Sequence, residues 1–206
     1  MSKRASKAPS FYEPYTLFLV FAGVSVGTFL LQQPVRLALL WTTLLILCVL
    51  HQGSHKVEVG FSLPALGRGM LLGLVISLPL LAFLSEQLRD FAERLYATKD
   101  VISLFYQVCL VSAPIEEFFF RGVVQERKGS SVSVALYAGA ALLYFLPHAP
   151  ILATFIVFLA MGALGTLYAY VCEHYGLAAS VGCHVVVGFV LQVVPSLIAT
   201  LRMMLS

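Results

Sequence analysis

Residues 112–127 of the chain read SAPIEEFFFRGVVQER, and they set two adjacent carboxylates, Glu116 and Glu117, in apolar surroundings. The whole chain is apolar, since 60% of its 206 residues are hydrophobic and only 11% are charged. Soluble domains are about half apolar and about a quarter charged. Repeated apolar runs of nearly bilayer length therefore predict a polytopic membrane protein and exclude a single secretory signal ahead of a soluble domain.

The apolar runs predict an all-α transmembrane bundle of about seven helices, within a range of six to eight. The alternating pattern of barrel strands is absent from the sequence, and helices are the other structure that satisfies its own backbone inside a bilayer. With no linker or internal repeat, residues 1–206 are predicted to form one domain. The predicted spans lie near 15–31, 37–50, 69–84, 101–120, 132–146, 151–171 and 177–201.

Basic residues predict the orientation of this bundle. They cluster in segments that the predicted spans place on one side, and such clusters favour the cytoplasm. The N-terminus is therefore predicted to be cytoplasmic, in a prokaryotic cell membrane or, in a eukaryote, the endoplasmic reticulum. The residues concerned are Lys3, Arg4, Lys7, Lys56, Arg68, Arg127 and Lys128. The net charge of +3 is small and dispersed, and it gives no indication of a nucleic-acid partner.

The polar segment 85–100, SEQLRDFAERLYATKD, is predicted to face the other side of the membrane. Its apolar residues recur at helical spacing between charges, which predicts an amphipathic helix lying in the membrane interface. A solvated connector helix with no role in substrate handling is the alternative. The apolar residues are Leu88, Phe91, Ala92 and Leu95.

The two glutamates differ in where a partner for their charge is expected. An ionised side chain near the bilayer centre costs about 2.5–3.5 kcal/mol on insertion scales, and such residues usually serve a function. Glu117 lies four residues before Arg121, on the same helical face, so an ion pair can lower the cost of burying it. Glu116 points about 100° away from Glu117 and must find partners on other helices.

Two histidines in later apolar runs are the candidate partners of Glu116: His148 in YFLPHAP and His184 in SVGCHVVVG. A carboxylate facing two imidazoles can activate water in either of two ways. Without a metal, Glu116 is a general base and the histidines orient water or stabilise an oxyanion. With a metal such as zinc, the three side chains form a ligand set. The spacing leaves both open, although the HExxH sequence of common zinc proteases is absent.

These residues resemble the three motifs of the CAAX protease and bacteriocin-processing (CPBP, or Abi) family of intramembrane proteases. The matching features are Glu116-Glu117-x-x-x-Arg121 followed by Gly122, Tyr144 four residues before His148, and His184 in a later span. The resemblance covers a core of about residues 100–195. It implies that Glu116 activates the hydrolytic water, that His148 assists and that His184 helps to stabilise the tetrahedral oxyanion. It also implies that Glu117 and Arg121 hold or orient the site.

The resemblance implies an intramembrane endopeptidase that hydrolyses a peptide bond near the membrane boundary of a lipidated or membrane-anchored protein or peptide. C-terminal processing or sorting of such a substrate is the implied setting. The family's names imply one divalent metal such as zinc, with Glu116, His148 and His184 as its ligands. A metal-free glutamate mechanism has also been argued for the family and implies no cofactor.

The chain departs from the family pattern at two positions. Tyr144 stands where the family usually has Phe, which adds a hydroxyl near the site. Gly188 stands four residues after His184, where the family usually has an Asn or Asp that would donate to the oxyanion. The chain contains no asparagine, so Gln192 and Ser180, both near the His184 face, are the predicted replacement donors.

The missing donor motivates a different interpretation of the same pattern. A catalytically weak or silent family member would bind a membrane peptide as an immunity or scaffold protein. A proton- or metal-coupled transporter, using the acids and histidines as a relay, is a further alternative. It lacks the internal repeat that many transporters show.

Overall fold

The computed structural model describes residues 13–52, 62–145 and 150–205. Within these residues the chain forms seven helices and no strand, so the predicted all-α bundle is confirmed. Each predicted span overlaps one of these helices. They are α1 (Pro14–Gly27), α2 (Gln33–Gln52), α3 (Leu63–Tyr96), α4 (Val101–Lys128), α5 (Ser130–Phe145), α6 (Ile151–Tyr175) and α7 (Leu177–Leu205).

Five helices of the described part, α2, α3, α4, α6 and α7, are long and apolar enough to cross a membrane. The helices α1 and α5 are apolar but shorter. At about 1.5 Å per residue, the 14 residues of α1 extend about 21 Å, less than the roughly 30 Å of a hydrocarbon core. Many large apolar side chains lie on the outer surface, including Leu30, Phe83 and Ile151. Such a surface is suited to lipid rather than water.

Polar contacts join helix termini at one end of the bundle. The contacting pairs are Lys128 with Glu13, Ser130 with Glu173, and Arg68 with the ring of Tyr175. These pairs bring together the start of α1, α3 and α5 and the end of α4 and α6. Arg68 and Lys128 therefore lie at the same end, as the charge pattern predicts, and we call it the Lys128 end. Its cytoplasmic location stays a prediction, and Lys3, Arg4, Lys7 and Lys56 lie outside the described residues.

The helix α3 bends at Leu84, whose φ of −124° and ψ of 17° are not helical. Pro79, which lacks a backbone donor, precedes the bend. Beyond it runs the amphipathic helix predicted for 85–100, which ends at Tyr96 because Ala97 adopts a left-handed φ of 50°. Its apolar face packs on the bundle through Leu88, Phe91, Ala92, Leu95 and Tyr96. Its location at a membrane interface stays a prediction.

Two glycines let α3 lie directly against α7. A Cβ atom at Gly69 would lie 2.1 Å from the backbone oxygen of Ala179, and one at Gly73 would lie 2.7 Å from that of Cys183. Small residues four apart are typical of closely packed membrane helices. Because the opposing atoms are backbone, they cannot move aside as a side chain would. The contact therefore fixes the position of α7 along its axis relative to α3, close to His184.

Wide π-helical turns interrupt the two helices that carry most candidate residues. They span Tyr106–Ser112 and Phe118–Gln125 in α4, and Phe189–Val193 in α7. Between the first two lies one short α-helical stretch, Ala113–Glu117, which ends on the two glutamates. A π-helical turn contains more residues than an α-helical turn, so side chains beyond it are rotated relative to a regular helix.

Candidate active site

A small cavity, here called the inner cavity, lies between α3, α4, α5, α6 and α7. Its volume is about 40 Å³. A water molecule needs about 10–15 Å³ on this measure, so the inner cavity has room for more than one. Its lining residues are Phe91, Leu95, Tyr96, Val108, Ser112, Glu116, Tyr137, Ala141, Tyr144, Phe145, Met161, His184 and Gln192.

Glu116 reaches this cavity from the short α-helical stretch of α4. Only 5% of the residue is exposed, and the Ser112 hydroxyl donates a hydrogen bond to its Oε1 atom at 2.8 Å. Ser112 lies four residues earlier, on the same helical face. The other oxygen, Oε2, accepts no hydrogen bond from the described residues, so it remains available to a molecule in the inner cavity.

Glu117 is fully buried and joins α4 to α7. Its Oε2 atom lies 3.5 Å from Nε of Arg121, which is the ion pair that the i to i+4 spacing predicts. The same carboxylate contacts His184, with 3.0 Å between Oε1 and Nδ1, and accepts a hydrogen bond from the Ser180 hydroxyl. Glu117 therefore has three partners on two helices, and a carboxylate buried this deeply requires such compensation.

Arg121 ties the site to α6. Its Nη2 atom donates to the backbone oxygen of Gly165 at 2.9 Å. Its guanidinium lies 4.7 Å from the ring centre of Tyr137 and 5.7 Å from that of Tyr168, distances at which a cation is attracted to an aromatic face. A Cβ atom at Gly165 would lie 2.9 Å from the Tyr137 ring, so α6 approaches this closely only because the position is glycine.

The imidazole of His184 is held on two sides. Its ring stacks on Tyr168 at 4.4 Å between centroids, and Nδ1 contacts the Glu117 carboxylate. Because a carboxylate accepts hydrogen bonds, Nδ1 carries a proton. The second nitrogen, Nε2, lies 3.5 Å from the Tyr137 hydroxyl and is the one left for chemistry in the inner cavity.

The candidate replacement donors differ in their surroundings. The Ser180 hydroxyl contacts Glu117 and the backbone oxygen of Tyr168, and Ser180 does not line the inner cavity. Gln192 does line it, and its Oε1 atom accepts a hydrogen bond from the Tyr96 hydroxyl at 2.9 Å. A Cβ atom at Gly188 would lie 2.6 Å from Cγ1 of Val108, so that position is closely packed.

The remaining predicted member of the site, His148, lies outside the described residues. Tyr144, four residues earlier, lines the inner cavity and is 8% exposed. Its hydroxyl lies close to the Glu116 carboxylate, but it makes no hydrogen bond of ordinary geometry with any described residue. The structure therefore brings Glu116, His184, Tyr144 and Gln192 together.

Four polar residues of the site were not predicted from the sequence. Ser112 was detectable, because it lies four residues before Glu116 and so shares its helical face. The expectation that Glu116 finds its partners only on other helices is therefore wrong, since Ser112 lies on the same helix. Tyr137 and Tyr168 carry hydroxyls inside apolar runs, a weaker signal because tyrosine is common at membrane boundaries. Tyr96 gave no signal, since its contact with Gln192 depends on how α3 packs against α7.

The described residues do not form a complete metal site. Among them, no three His, Cys, Asp or Glu side chains are arranged to hold a metal ion. Glu116 and His184 both line the inner cavity, and the third predicted ligand, His148, lies outside the described part. The carboxylate on Nδ1 of His184 is a contact that metal-binding histidines often make. If a metal is bound here, Glu116 and His184 would supply two of its ligands, and it would polarise the attacking water.

A second cavity, here called the outer cavity, adjoins the inner one and has a volume of about 300 Å³. The two share Phe91, Leu95, Tyr144 and Phe145, and the rings of Phe91 and Phe145 stack at 4.8 Å along this boundary. The outer cavity lies where α3 and α5 end, away from the Lys128 end. It combines apolar residues of α6 with polar residues of α3, namely Gln87, Asp90 and Arg94.

Residues 98–190 match the model of the family described as Type II CAAX prenyl endopeptidase Rce1-like. No curated protein and no solved structure matched the chain. The match nearly coincides with the core of about 100–195 that the motifs predict; it includes Glu116 and His184 and stops before Gln192. The resemblance to the CAAX protease and bacteriocin-processing family is thereby confirmed for residues 98–190, and the described helices are those of an integral membrane protein.

Proposed function

We propose that the protein is an intramembrane endopeptidase that hydrolyses a peptide bond near the membrane boundary of a lipidated or membrane-anchored protein. The observation that carries the proposal is the inner cavity, where the buried Glu116 carboxylate and His184 share a space that accommodates water. Buried ionisable groups in a water-sized cavity are typical of catalytic sites rather than of helix packing. The family match supports the same reaction class.

Glu116 acts as the general base in this proposal. The Ser112 hydroxyl holds Oε1, and Oε2 accepts a proton from a water molecule in the inner cavity. The water oxygen then attacks the carbonyl carbon of the substrate, and the electron pair of the C=O bond moves onto its oxygen. When the C–N bond breaks, Glu116 returns the proton to the leaving amine, which completes the addition of one water to the peptide bond.

His184 stabilises the negative charge that develops on the carbonyl oxygen. In the proposal the imidazole carries a proton on each nitrogen, so that Nδ1 donates to Glu117, which fixes the ring, and Nε2 donates a hydrogen bond to the oxyanion. Arg121 balances the charge of Glu117 and ties α4 to α6, so Glu117 and Arg121 are positioning residues. His148 assists water activation in this proposal, which for that residue rests on the resemblance.

The test compares Glu116→Gln with wild type and with Glu126→Gln. Glu126 lies on the same helix, is exposed and is remote from the inner cavity, so its variant makes the same chemical change outside the site. Membranes expressing each protein are compared for C-terminally processed products. We expect processing in wild type and in Glu126→Gln, and none in Glu116→Gln, with equal thermal unfolding of the three proteins in detergent. Undiminished processing in a folded Glu116→Gln variant contradicts the proposal.

A silent, peptide-binding family member is the second candidate. It is favoured by Gly188, which supplies no donor and is packed against Val108. The variant Gly188→Asn needs room, so it is combined with Val108→Ala. If wild type processes no membrane protein while the double variant does, the binding function replaces the enzymatic one.

A further inference from the structure

The position that follows His184 by four residues is closed to a side chain. A Cβ atom at Gly188 would lie 2.6 Å from Cγ1 of Val108. Valine is branched at Cβ and has few rotamers to choose from, so it cannot turn away easily. A second oxyanion donor of this protein must therefore come from another position.

The wide turn of α7 brings such a donor to the site. In a regular α-helix, the eight residues from His184 to Gln192 advance about 800°, which leaves Gln192 about 80° away from the His184 face. The segment Phe189–Val193 is π-helical, and each residue there advances less than in an α-helix. Gln192 consequently turns back toward the His184 face, and both residues line the inner cavity.

Tyr96 fixes the direction of the Gln192 amide. Its hydroxyl donates to Oε1 of Gln192 at 2.9 Å, and its ring is buried against Trp41 at 6.2 Å between centroids. An amide has its acceptor on the oxygen and two donors on the nitrogen. With Oε1 engaged by Tyr96, the Nε2 donors are left, and no described residue accepts from them.

We propose that the Gln192 carboxamide is the second oxyanion donor of the site and that Tyr96 is its positioning residue. The inference rests on the proposed hydrolytic function and adds one catalytic residue to it. As water adds to the carbonyl carbon and the C=O pair moves onto oxygen, Nε2–H of Gln192 and Nε2–H of His184 both hydrogen-bond that oxygen. Both bonds are released when the pair returns and the C–N bond breaks.

The experiment measures kcat and KM with a fluorescence-quenched prenylated peptide, or with the processed membrane protein found in the Glu116 comparison. We expect Gln192→Leu to lower kcat about 100- to 1000-fold with little change in KM, the loss typical of one oxyanion donor. Gln192→Glu keeps an acceptor for Tyr96 and nearly the same shape but loses the donors, so it tests the idea even if the leucine variant fails to fold. Gln52→Leu, on an exposed glutamine of α2, is the matched control and keeps wild-type kcat.

Tyr96→Phe tests the positioning role. We expect it to lower kcat about tenfold through misplacement of the amide. In the Gln192→Leu background the same change has no further effect on kcat, because the two residues act as one unit. An equal loss of kcat in both backgrounds shows that Tyr96 does not act through Gln192.

The outcomes separate this inference from the function on which it rests. If folded Gln192→Leu and Gln192→Glu keep kcat within twofold of wild type while Glu116→Gln is inactive, the inference is wrong and the hydrolase proposal stands. Full activity of Glu116→Gln overturns the hydrolase proposal instead. A wild-type protein that cleaves neither substrate overturns both.

Discussion

Replacing Glu117 by Gln leaves Arg121 as a buried cation without a counter-charge, because both side chains have no exposed surface. Removing one partner of a buried ion pair costs about 3–5 kcal/mol. Arg121 keeps its hydrogen bond to Gly165 and its contacts with two tyrosine rings, so we expect the lower end, about 3 kcal/mol.

Adding Arg121→Met to the Glu117→Gln variant shows whether the lost unfolding free energy comes from the unpaired charge. Replacing a whole buried ion pair by neutral groups is often close to neutral, so we expect the double variant to unfold within about 1 kcal/mol of wild type. The assay is reversible unfolding by denaturing detergent in mixed micelles, with helix content followed by circular dichroism. A loss below about 1 kcal/mol for Glu117→Gln, or a double variant as unstable as the single one, refutes the reasoning.

Activity is expected to respond differently from stability. In the double variant a neutral amide still contacts His184, but it carries no negative charge to balance the doubly protonated imidazole that the proposed mechanism uses. We therefore expect kcat to stay about 100-fold below wild type even though the fold has recovered, the low end of what a positioned acid contributes. Recovery of kcat together with stability contradicts the assigned role of Glu117.

Three further predictions concern the supports of the site. Ser112→Ala removes the hydrogen bond to the buried Glu116 carboxylate and is expected to cost about 1–3 kcal/mol of unfolding free energy and to lower kcat about tenfold, and unchanged kinetics contradict the role given to Ser112. Gly73→Val sets a side chain against the backbone of α7 and is expected to cost about 1–3 kcal/mol of unfolding free energy; Gly67→Val, which meets nothing within 4 Å, is the control. Hydrogen bonds from Ser103 hold the pKa of Asp100 below its usual value, so Asp100 stabilises the start of α4 at neutral pH. That stabilisation is lost as the pH falls through the lowered pKa; acid titration of the melting temperature should show the loss in wild type and not in Asp100→Asn.

The seven helices were predictable because apolar runs of this length leave the backbone no alternative to helix in a bilayer. The helix boundaries were less predictable, because the predicted span at 69–84 and the amphipathic segment after it form a single bent helix, Leu63–Tyr96. Their charges and turn residues gave no indication that helix continues through the bend at Leu84.

Residue spacing predicted only those contacts of the candidate site that lie within one helix. The pairing of Glu117 with Arg121 follows from a separation of four residues, and it is present. The contact of Glu117 with His184 joins two residues that lie 67 positions apart on different helices, and no local sequence pattern predicts it. Gln192 lines the inner cavity and Ser180 does not. This difference depends on the π-helical turn of α7, which the amino-acid sequence does not predict.

The π-helical turn of α7 also affects how this chain is judged, as enzyme or pseudoenzyme, when it is compared with the family. An alignment column places Gly188 where the family has its donor, and a classifier that reads this column would discard the chain as inactive. Because the π-helical turn rotates the residues that follow it, Gln192, four residues after Gly188, lines the inner cavity although it occupies a different alignment column. Superposition of structures, rather than residue counting from the histidine, is the appropriate criterion wherever a π-helical turn follows that histidine.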